Sequence, residues 1–206
     1  MCGIVAASAA SNIVPVLVEG LKKLEYRGYD SAGLAVISGN GIERIRSVGR
    51  VAELESASAS TTAVTGIAHT RWATHGVPSE RNAHPHVSGS IAVVHNGIIE
   101  NYETLRRDLT AQGYVFTSET DTESIAHLIE ATLKSEPDLF TAVRLTCQRL
   151  VGAYAIAVID HQQPGKVIVA REGSPLLLGI SDTGNYAASD ASALLQVTRN
   201  MVYLEN

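Results

Sequence analysis

Apolar residues recur along the chain at two spacings, which predict strands near both ends and helices between them. Residues 3–7 form a short continuous apolar run, typical of a strand buried on both faces. Residues 13–26 carry apolar side chains three and four positions apart, the spacing of one helix face. Further strands are predicted over residues 31–37, 42–48, 66–69 and 90–95.

Two polar segments predict how these first elements are joined. Gly39-Asn40-Gly41 lies between two predicted strands and indicates a tight hairpin, because Asn-Gly accepts the positive φ of such a turn. Residues 55–65 are small and polar, which predicts an exposed connection.

Three helices are predicted in the middle of the chain. Asn101 is expected to cap the first, which runs to about Gln112, and Thr120 with Glu123 matches a capping box for the second. The third has apolar residues at helical spacing over residues 139–150. Strands return over residues 153–159, 166–170, 176–180, 186–189 and 201–204. This order predicts one α+β domain over residues 1–206, with sheets that pack on each other.

The composition excludes several classes of function. The net charge is -5, so a nucleic acid or an anionic membrane is not an expected partner. Apolar runs fall short of the roughly 18 residues of a membrane span, and no basic segment precedes an apolar one as in a signal peptide. Cys2 and Cys147 are too few for a disulfide framework, which favours a reducing, cytoplasmic setting.

The first candidate for chemistry is Cys2, directly after Met1. Taken alone, it could be a small apolar residue at a chain end. If Met1 is removed, however, Cys2 becomes a nucleophile with its own base. An α-amino group titrates near about 7.7–8.0 and a thiol near about 8.5, so proton transfer between them is nearly balanced. With Met1 retained, that nitrogen is an amide and cannot accept the proton. Histidines such as His69 or His84 would then be the alternative bases.

Several blocks of the sequence resemble one protein family in order along nearly the whole chain. They are Cys2-Gly3-Ile4-Val5 and residues 24–33 (LEYRGYDSAG), 66–76 (GIAHTRWATHG), 82–86 (NAHPH), 94–101 (VHNGIIEN) and 118–123 (SETDTE). The family is the class II glutamine amidotransferases, which are N-terminal-nucleophile hydrolases. The blocks are most similar to the glutaminase half of the glucosamine-6-phosphate synthases. The resemblance implies a four-layer αββα sandwich and hydrolysis of L-glutamine through a Cys2 thioester.

The resemblance also implies the roles of the groups around the nucleophile. Asn96 and Gly97 would form the oxyanion hole through a side-chain amide and a backbone N–H, whereas Asn-Gly alone would indicate only a turn. Arg27 would lie near Cys2 and favour its thiolate, whereas alone it would be a helix-terminal charge.

The resemblance implies that a second set of residues binds the substrate. Arg71 would bind the α-carboxylate of glutamine, although alone it would be a surface charge. Asp121 would bind the α-ammonium, although alone it would complement a helix dipole one residue past the Thr120 cap. Trp72, Thr74 and His75 would belong to a loop that closes over glutamine, although a single tryptophan is more often a core anchor.

No cofactor or metal is predicted. Five histidines fall between positions 69 and 95, and His84-Pro85-His86 resembles a pair of metal ligands. The spacing matches no compact zinc pattern, however, and no second cysteine lies near. A nucleotide-binding GxGxxG or P-loop motif is also absent from the sequence.

The resemblance finally implies partners that residues 1–206 do not contain. In the family, sugar-phosphate isomerase domains follow in the same polypeptide, use the ammonia on fructose 6-phosphate and assemble as homo-oligomers. The chain is therefore expected to be an excised glutaminase domain. The alternatives are a catalytically silent binding domain of the same fold and an N-terminal-nucleophile hydrolase of another amide.

Overall fold

The computed structural model describes residues 2–72 and 76–205, and the strands in this part of the chain form two antiparallel sheets. The seven-stranded sheet contains β1 Gly3–Ala9, β2 Ser31–Ser38, β3 Gly41–Val48, β4 Thr65–Arg71, β9 Leu177–Ser181, β10 Gly184–Ala188 and β11 Met201–Tyr203. The four-stranded sheet contains β5 His86–Ser88, β6 Ile91–Ile99, β7 Gly152–Asp160 and β8 Ile168–Glu172. The α-helices are α1 Val14–Leu24, α2 Val51–Ala57, α3 Tyr102–Ala111, α4 Thr122–Leu133 and α5 Leu139–Cys147.

The strand order places the N-terminal strand at the centre of the larger sheet. That order is β11-β9-β10-β1-β4-β2-β3, and the smaller sheet runs β5-β6-β7-β8. Because β1 and β4 are antiparallel, with Gly3 opposite Thr70, the start of β1 lies beside the end of β4. Cys2 is therefore held next to Arg71 and Trp72 by strand register.

Three buried layers of apolar side chains separate the elements and define the architecture. Ile4 and Ile67 of the larger sheet pack against Val94 and Ala155 of the smaller sheet. The other face of the larger sheet packs on α1 and α2, and the other face of the smaller sheet packs on α3, α4 and α5. The result is the expected α+β fold, a four-layer αββα sandwich.

The alternation of side chains in β1 shows why its sequence is continuously apolar. Val5 and Ala7 point toward the layer that contains α1, whereas Ile4 and Ala6 point toward the second sheet. Successive strand residues face opposite sides, so a strand covered on both faces needs apolar residues at every position. The strands predicted from apolar runs are confirmed, most of them within about two residues at each end.

One helix was not expected from the sequence. The segment Val51–Ala57 is helical, so the prediction of a connection starting at residue 55 is wrong for its first residues. Val51 and Leu54 are fully buried and anchor this short helix on the larger sheet. Two buried residues in two turns are too few to reveal a helical period in the sequence.

The two predicted helix caps have different outcomes. Asn101 occupies the expected N-cap position of α3, but its side chain forms no cap bond and instead joins Val151 N–H to the carbonyl of Arg149. The cap predicted at Thr120 is wrong, because Asp121 occupies the N-cap position of α4. Glu123 accepts hydrogen bonds from the backbone N–H groups of Thr117 and Ser118 instead of completing a capping box with Thr120.

No helix in residues 2–72 and 76–205 is long and apolar enough to cross a membrane.

Candidate active site

The candidate site lies where β1 begins, β4 ends and α4 begins, beside the C-terminal half of β6. Among the predicted residues, Cys2, Arg71, Trp72, Gly97 and Asp121 line one pocket. The same pocket is also lined by His84, His95, Thr120 and Thr122. The topology thus brings together chemistry that is separated by up to 119 positions in sequence, from Cys2 to Asp121.

The Cys2 thiol is held against the backbone at the end of β4. Its Sγ accepts a hydrogen bond from Trp72 N–H at 3.2 Å and lies 3.5 Å from the Trp72 carbonyl oxygen. Burial raises the pKa of the Cys2 thiol above its usual value, although the Trp72 N–H and the Arg71 charge act in the opposite direction. The thiol is therefore protonated at neutral pH, and a nucleophile at this position needs a base.

Asn96 and Gly97 lie in β6, next to Cys2. The Asn96 Nδ2 donates to the Cys2 carbonyl oxygen at 3.2 Å, and its Oδ1 lies 2.9 Å from His69 Nε2. Gly97 has a φ of 129°, and a Cβ there would collide with the Ala153 carbonyl of β7. A glycine is thus required by the close approach of the neighbouring strand β7, a packing reason that the Asn-Gly pair does not reveal in the sequence.

The Arg71 guanidinium is buried at the wall of the pocket. Its Nη1 lies 3.6 Å from Asp30 Oδ1, and its Nη2 donates to the Gly76 carbonyl oxygen at 3.1 Å. Arg71 is the last residue of β4, so the strand sets its position. A buried guanidinium beside a pocket is suited to bind a carboxylate.

Asp121 occupies the N-cap position of α4, so the expectation that it would follow a Thr120 cap is wrong. Its Oδ2 accepts a hydrogen bond from Ile99 N–H at 2.8 Å, and its Oδ1 lies 3.9 Å from His95 Nδ1. The carboxylate is thus fixed by the end of β6, and it lines the same pocket as Arg71. A fixed carboxylate at this place is suited to bind an ammonium group.

Trp72 lines the pocket, whereas Arg27 is not among the residues that line it. Arg27 ends a 3-10 turn after α1 and forms an ion pair with Asp190. Trp72 is 54% exposed, so it is not a core anchor, and a Cβ at Gly28 would collide with its ring. Thr74 and His75, the other expected members of this loop, lie outside the described residues.

A cluster of buried histidines lies at the pocket, where His84 and His95 are part of the lining, and its members bond to hydroxyl and carbonyl groups. His84 Nε2 and His95 Nδ1 lie 2.8 and 2.9 Å from Thr122 Oγ1, and His86 Nε2 lies 3.0 Å from Thr120 Oγ1. Within residues 2–72 and 76–205, no group of three or more His, Cys, Asp or Glu is arranged to hold a metal ion.

Burial lowers the pKa of His69 and of His86 to about 3 and lowers the pKa of His84 well below its usual value. These histidines are therefore neutral at physiological pH. With such a low pKa, His69 and His84 are weak bases and poor substitutes for an α-amine.

Comparison with known families gives a match over the larger part of the chain. Residues 69–196 match the family model described as "Glutamine amidotransferase domain". This range contains every predicted site residue except Cys2 and Arg27.

Curated relatives match the whole chain. It is 58% identical to a glutamine–fructose-6-phosphate aminotransferase [isomerizing] of Pseudomonas putida and 56% identical to one of Vibrio vulnificus. Each match covers 100% of this chain and 34% of the relative. The chain thus spans about a third of the length of these curated relatives.

Solved structures share the fold. The chain is similar to the glutamine phosphoribosylpyrophosphate amidotransferase of B. subtilis, solved with ADP and GMP, with a TM-score of 0.82 and 26% identity. The match covers 98% of this chain and 44% of that one. An allosteric regulatory enzyme of purine biosynthesis matches with a TM-score of 0.83 and 27% identity, over 99% of this chain and 44% of that one.

Proposed function

This chain belongs to the glutamine amidotransferase family, and from that premise we propose that it hydrolyses L-glutamine to glutamate and ammonia with Cys2 as the nucleophile. One observation carries the proposal. Cys2 shares a single pocket with a buried guanidinium, Arg71, and a fixed carboxylate, Asp121. A silent binding domain has no need of a cysteine in that pocket, next to the Asn96 side-chain amide that donates to the Cys2 carbonyl oxygen.

The two charged groups account for the choice of substrate. Arg71 binds the α-carboxylate of glutamine, and Asp121 binds its α-ammonium group. A glutamine residue inside a peptide has neither charge, so it is rejected. This reasoning favours glutamine over another amide as the substrate.

The chemistry begins with proton transfer from the Cys2 thiol to the α-amine that becomes free when Met1 is removed. The thiolate attacks the side-chain amide carbon, and the oxyanion accepts hydrogen bonds from Asn96 Nδ2 and Gly97 N–H. The ammonium form of the α-amine gives its proton to the leaving nitrogen, and ammonia departs from a γ-glutamyl thioester. A water molecule, deprotonated by the same amine, then releases glutamate and restores the thiol.

Arg27 and Trp72 have supporting roles in this proposal. Arg27 stabilises negative charge near the thiolate, and its ion pair with Asp190 joins the turn after α1 to the segment that follows β10. Trp72, which lines the pocket, covers bound glutamine.

We further propose that the ammonia is used by other domains of a longer polypeptide. The curated relatives are named for glutamine and fructose 6-phosphate, and this chain matches 34% of their length. Sugar-phosphate isomerase domains would accept the ammonia to form glucosamine 6-phosphate in a cytoplasmic homo-oligomer.

A glutaminase assay on the 206-residue chain tests the proposal. Release of glutamate and ammonia is measured with L-glutamine, D-glutamine and α-N-acetyl-L-glutamine, on protein whose N-terminus has been verified. We expect turnover of L-glutamine alone. Cys2→Ala should lower the rate at least about 1000-fold, because no other group replaces the nucleophile.

The control is circular dichroism of the same Cys2→Ala protein, which should match the wild type because the thiol makes no core contact. Binding of L-glutamine without turnover in wild type would instead identify a silent binding domain. Equal turnover of the acetylated substrate would indicate a hydrolase of another amide.

A further inference from the structure

The hydrogen bonds of His69 fix the orientation of the Asn96 side-chain amide. Its Nε2 lies 2.9 Å from the His95 carbonyl oxygen and 2.9 Å from Asn96 Oδ1. A carbonyl oxygen can only accept, so the hydrogen of His69 must be on Nε2. The same N–H then faces the Asn96 oxygen, and the NH2 group of Asn96 is directed to the opposite side, toward Cys2.

The surroundings of His69 hold this arrangement in one state. The side chain is fully buried in β4, opposite Ile4 of β1 and Gly33 of β2. Its ring stacks on His84 with a centroid separation of 4.1 Å. Burial also holds the pKa of His69 at about 3, so the ring stays neutral through the physiological range.

An asparagine amide has nearly the same shape in its two orientations, but the two have opposite effects on an oxyanion. With Nδ2 toward the pocket it donates a hydrogen bond, and with Oδ1 toward the pocket it repels the negative charge. Two contacts distinguish the orientations. The Cys2 carbonyl oxygen accepts from Nδ2 at 3.2 Å, and on the far side the buried His69 Nε2–H donates to Oδ1 at 2.9 Å.

We propose that His69 is a positioning residue, whose Nε2–H keeps the Asn96 amide in the orientation that stabilises the oxyanion. This inference rests on the proposed glutaminase function. His69 is not among the residues that line the pocket. Its effect is confined to the step in which negative charge develops, so it acts on kcat and not on the binding of glutamine.

The test compares His69→Gln, His69→Asn and His69→Met in the 206-residue chain. The glutamine amide nitrogen reaches about as far as Nε2 of histidine, whereas the asparagine amide is too short and methionine has no donor. We expect kcat to fall about 10- to 100-fold in His69→Asn and His69→Met, less than the about 100- to 1000-fold typical of losing an oxyanion donor. His69→Gln should recover most of this loss, and KM for L-glutamine should stay within about twofold in all three.

A double-mutant cycle with Asn96→Ala shows whether His69 acts through Asn96. In the Asn96→Ala background, His69→Met should lower kcat by less than about twofold more, because the amide that His69 orients is absent. Multiplicative losses, a rise in KM at constant kcat, or an unchanged kcat in His69→Asn would each overturn the inference.

Two controls separate the possible causes of a loss of glutaminase activity. Thermal unfolding of each variant identifies loss of folding, and if His69→Met does not fold, the comparison of His69→Gln with His69→Asn decides the question. Wild-type protein without glutaminase activity would contradict the proposed function itself. Active wild type with fully active His69→Asn would contradict only the role of His69.

Discussion

At the scale of the residue, the site depends on polar side chains that are held by contacts from outside it. Asp121 is fixed by Ile99 N–H, Arg71 lies against Asp30, and the Asn96 amide is oriented by His69. Each group that faces the pocket therefore has its geometry set before a ligand arrives. Preorganised donors and charges of this kind lose little free energy to rearrangement during the reaction.

Asp121 can be tested with a pair of substitutions that separate its charge from its structural contact. Asp121→Asn keeps an oxygen that can accept from Ile99 N–H but loses the charge that binds the α-ammonium, whereas Asp121→Ala loses both. We expect Asp121→Asn to raise KM for L-glutamine about 10- to 100-fold, the range for a hydrogen bond to a charged group, with a smaller effect on kcat. Steady-state kinetics gives both values, and an unchanged KM would remove Asp121 from substrate recognition.

At the scale of the element, the sequence predicts long periodic segments well. It predicts short helices poorly, and it does not predict contacts with strands that lie far along the chain. The hairpin at Gly39-Asn40-Gly41 and the helix that starts at Val14 follow from local pattern and are confirmed. The helix Val51–Ala57 is too short to show a period. The requirement for glycine at position 97 comes from β7, which lies more than fifty residues later in the chain. Local pattern contains no information about such a contact between distant parts of the chain.

The same reasoning explains which site residues could be found in advance. Cys2, Arg71 and Asp121, the residues proposed to carry the reaction, stand in recognisable blocks of the sequence. His69 stands in one of these blocks too. Its bond to Asn96, however, depends on the packing of β4 in the larger sheet against β6 in the smaller sheet. The sequence offered His69 only as an alternative base, because its burial could not be read from the pattern.

The close approach of β7 to Gly97 of β6 predicts the effect of Gly97→Ala. The new Cβ would meet the Ala153 carbonyl, and a φ of 129° is unfavourable for alanine. We expect a loss of about 1–3 kcal/mol in the free energy of unfolding and a fall in kcat, because the Gly97 N–H must move. Gly39→Ala is the matched control, since nothing lies within 4 Å of a Cβ there. Equal stability and activity of the two variants would contradict the packing argument.

At the scale of the whole molecule, the histidines buried between the sheets and α4 connect stability to pH. The pKa values of His69 and His86 are about 3, and that of His84 is also strongly lowered, all chiefly by burial. In the unfolded chain a histidine takes up a proton near about pH 6.5. Between these values the unfolded state binds more protons than the folded state, so acid favours unfolding.

This predicts that the free energy of unfolding falls as pH is lowered from about 6.5 toward 3. Near pH 5 the expected slope is about 1.4 kcal/mol per pH unit for each such histidine. Denaturant unfolding at a series of pH values measures it. His86→Gln should lower the slope by about one proton, whereas His161→Gln should leave it unchanged because His161 is exposed. A slope that is unaffected by His86→Gln would contradict the assignment.

The central claim about the molecule is that Cys2 reacts as the first residue of the chain, with its own α-amine as the base. The measurement that tests it most directly is the rate of L-glutamine hydrolysis as a function of the fraction of chains that begin at Cys2. Samples with different extents of Met1 removal provide the series, and intact mass spectrometry of each assayed sample gives the fraction. We predict a rate proportional to that fraction, with none for chains that retain Met1. A full rate from protein that quantitatively retains Met1 would contradict the account, because its nitrogen at Cys2 is an amide.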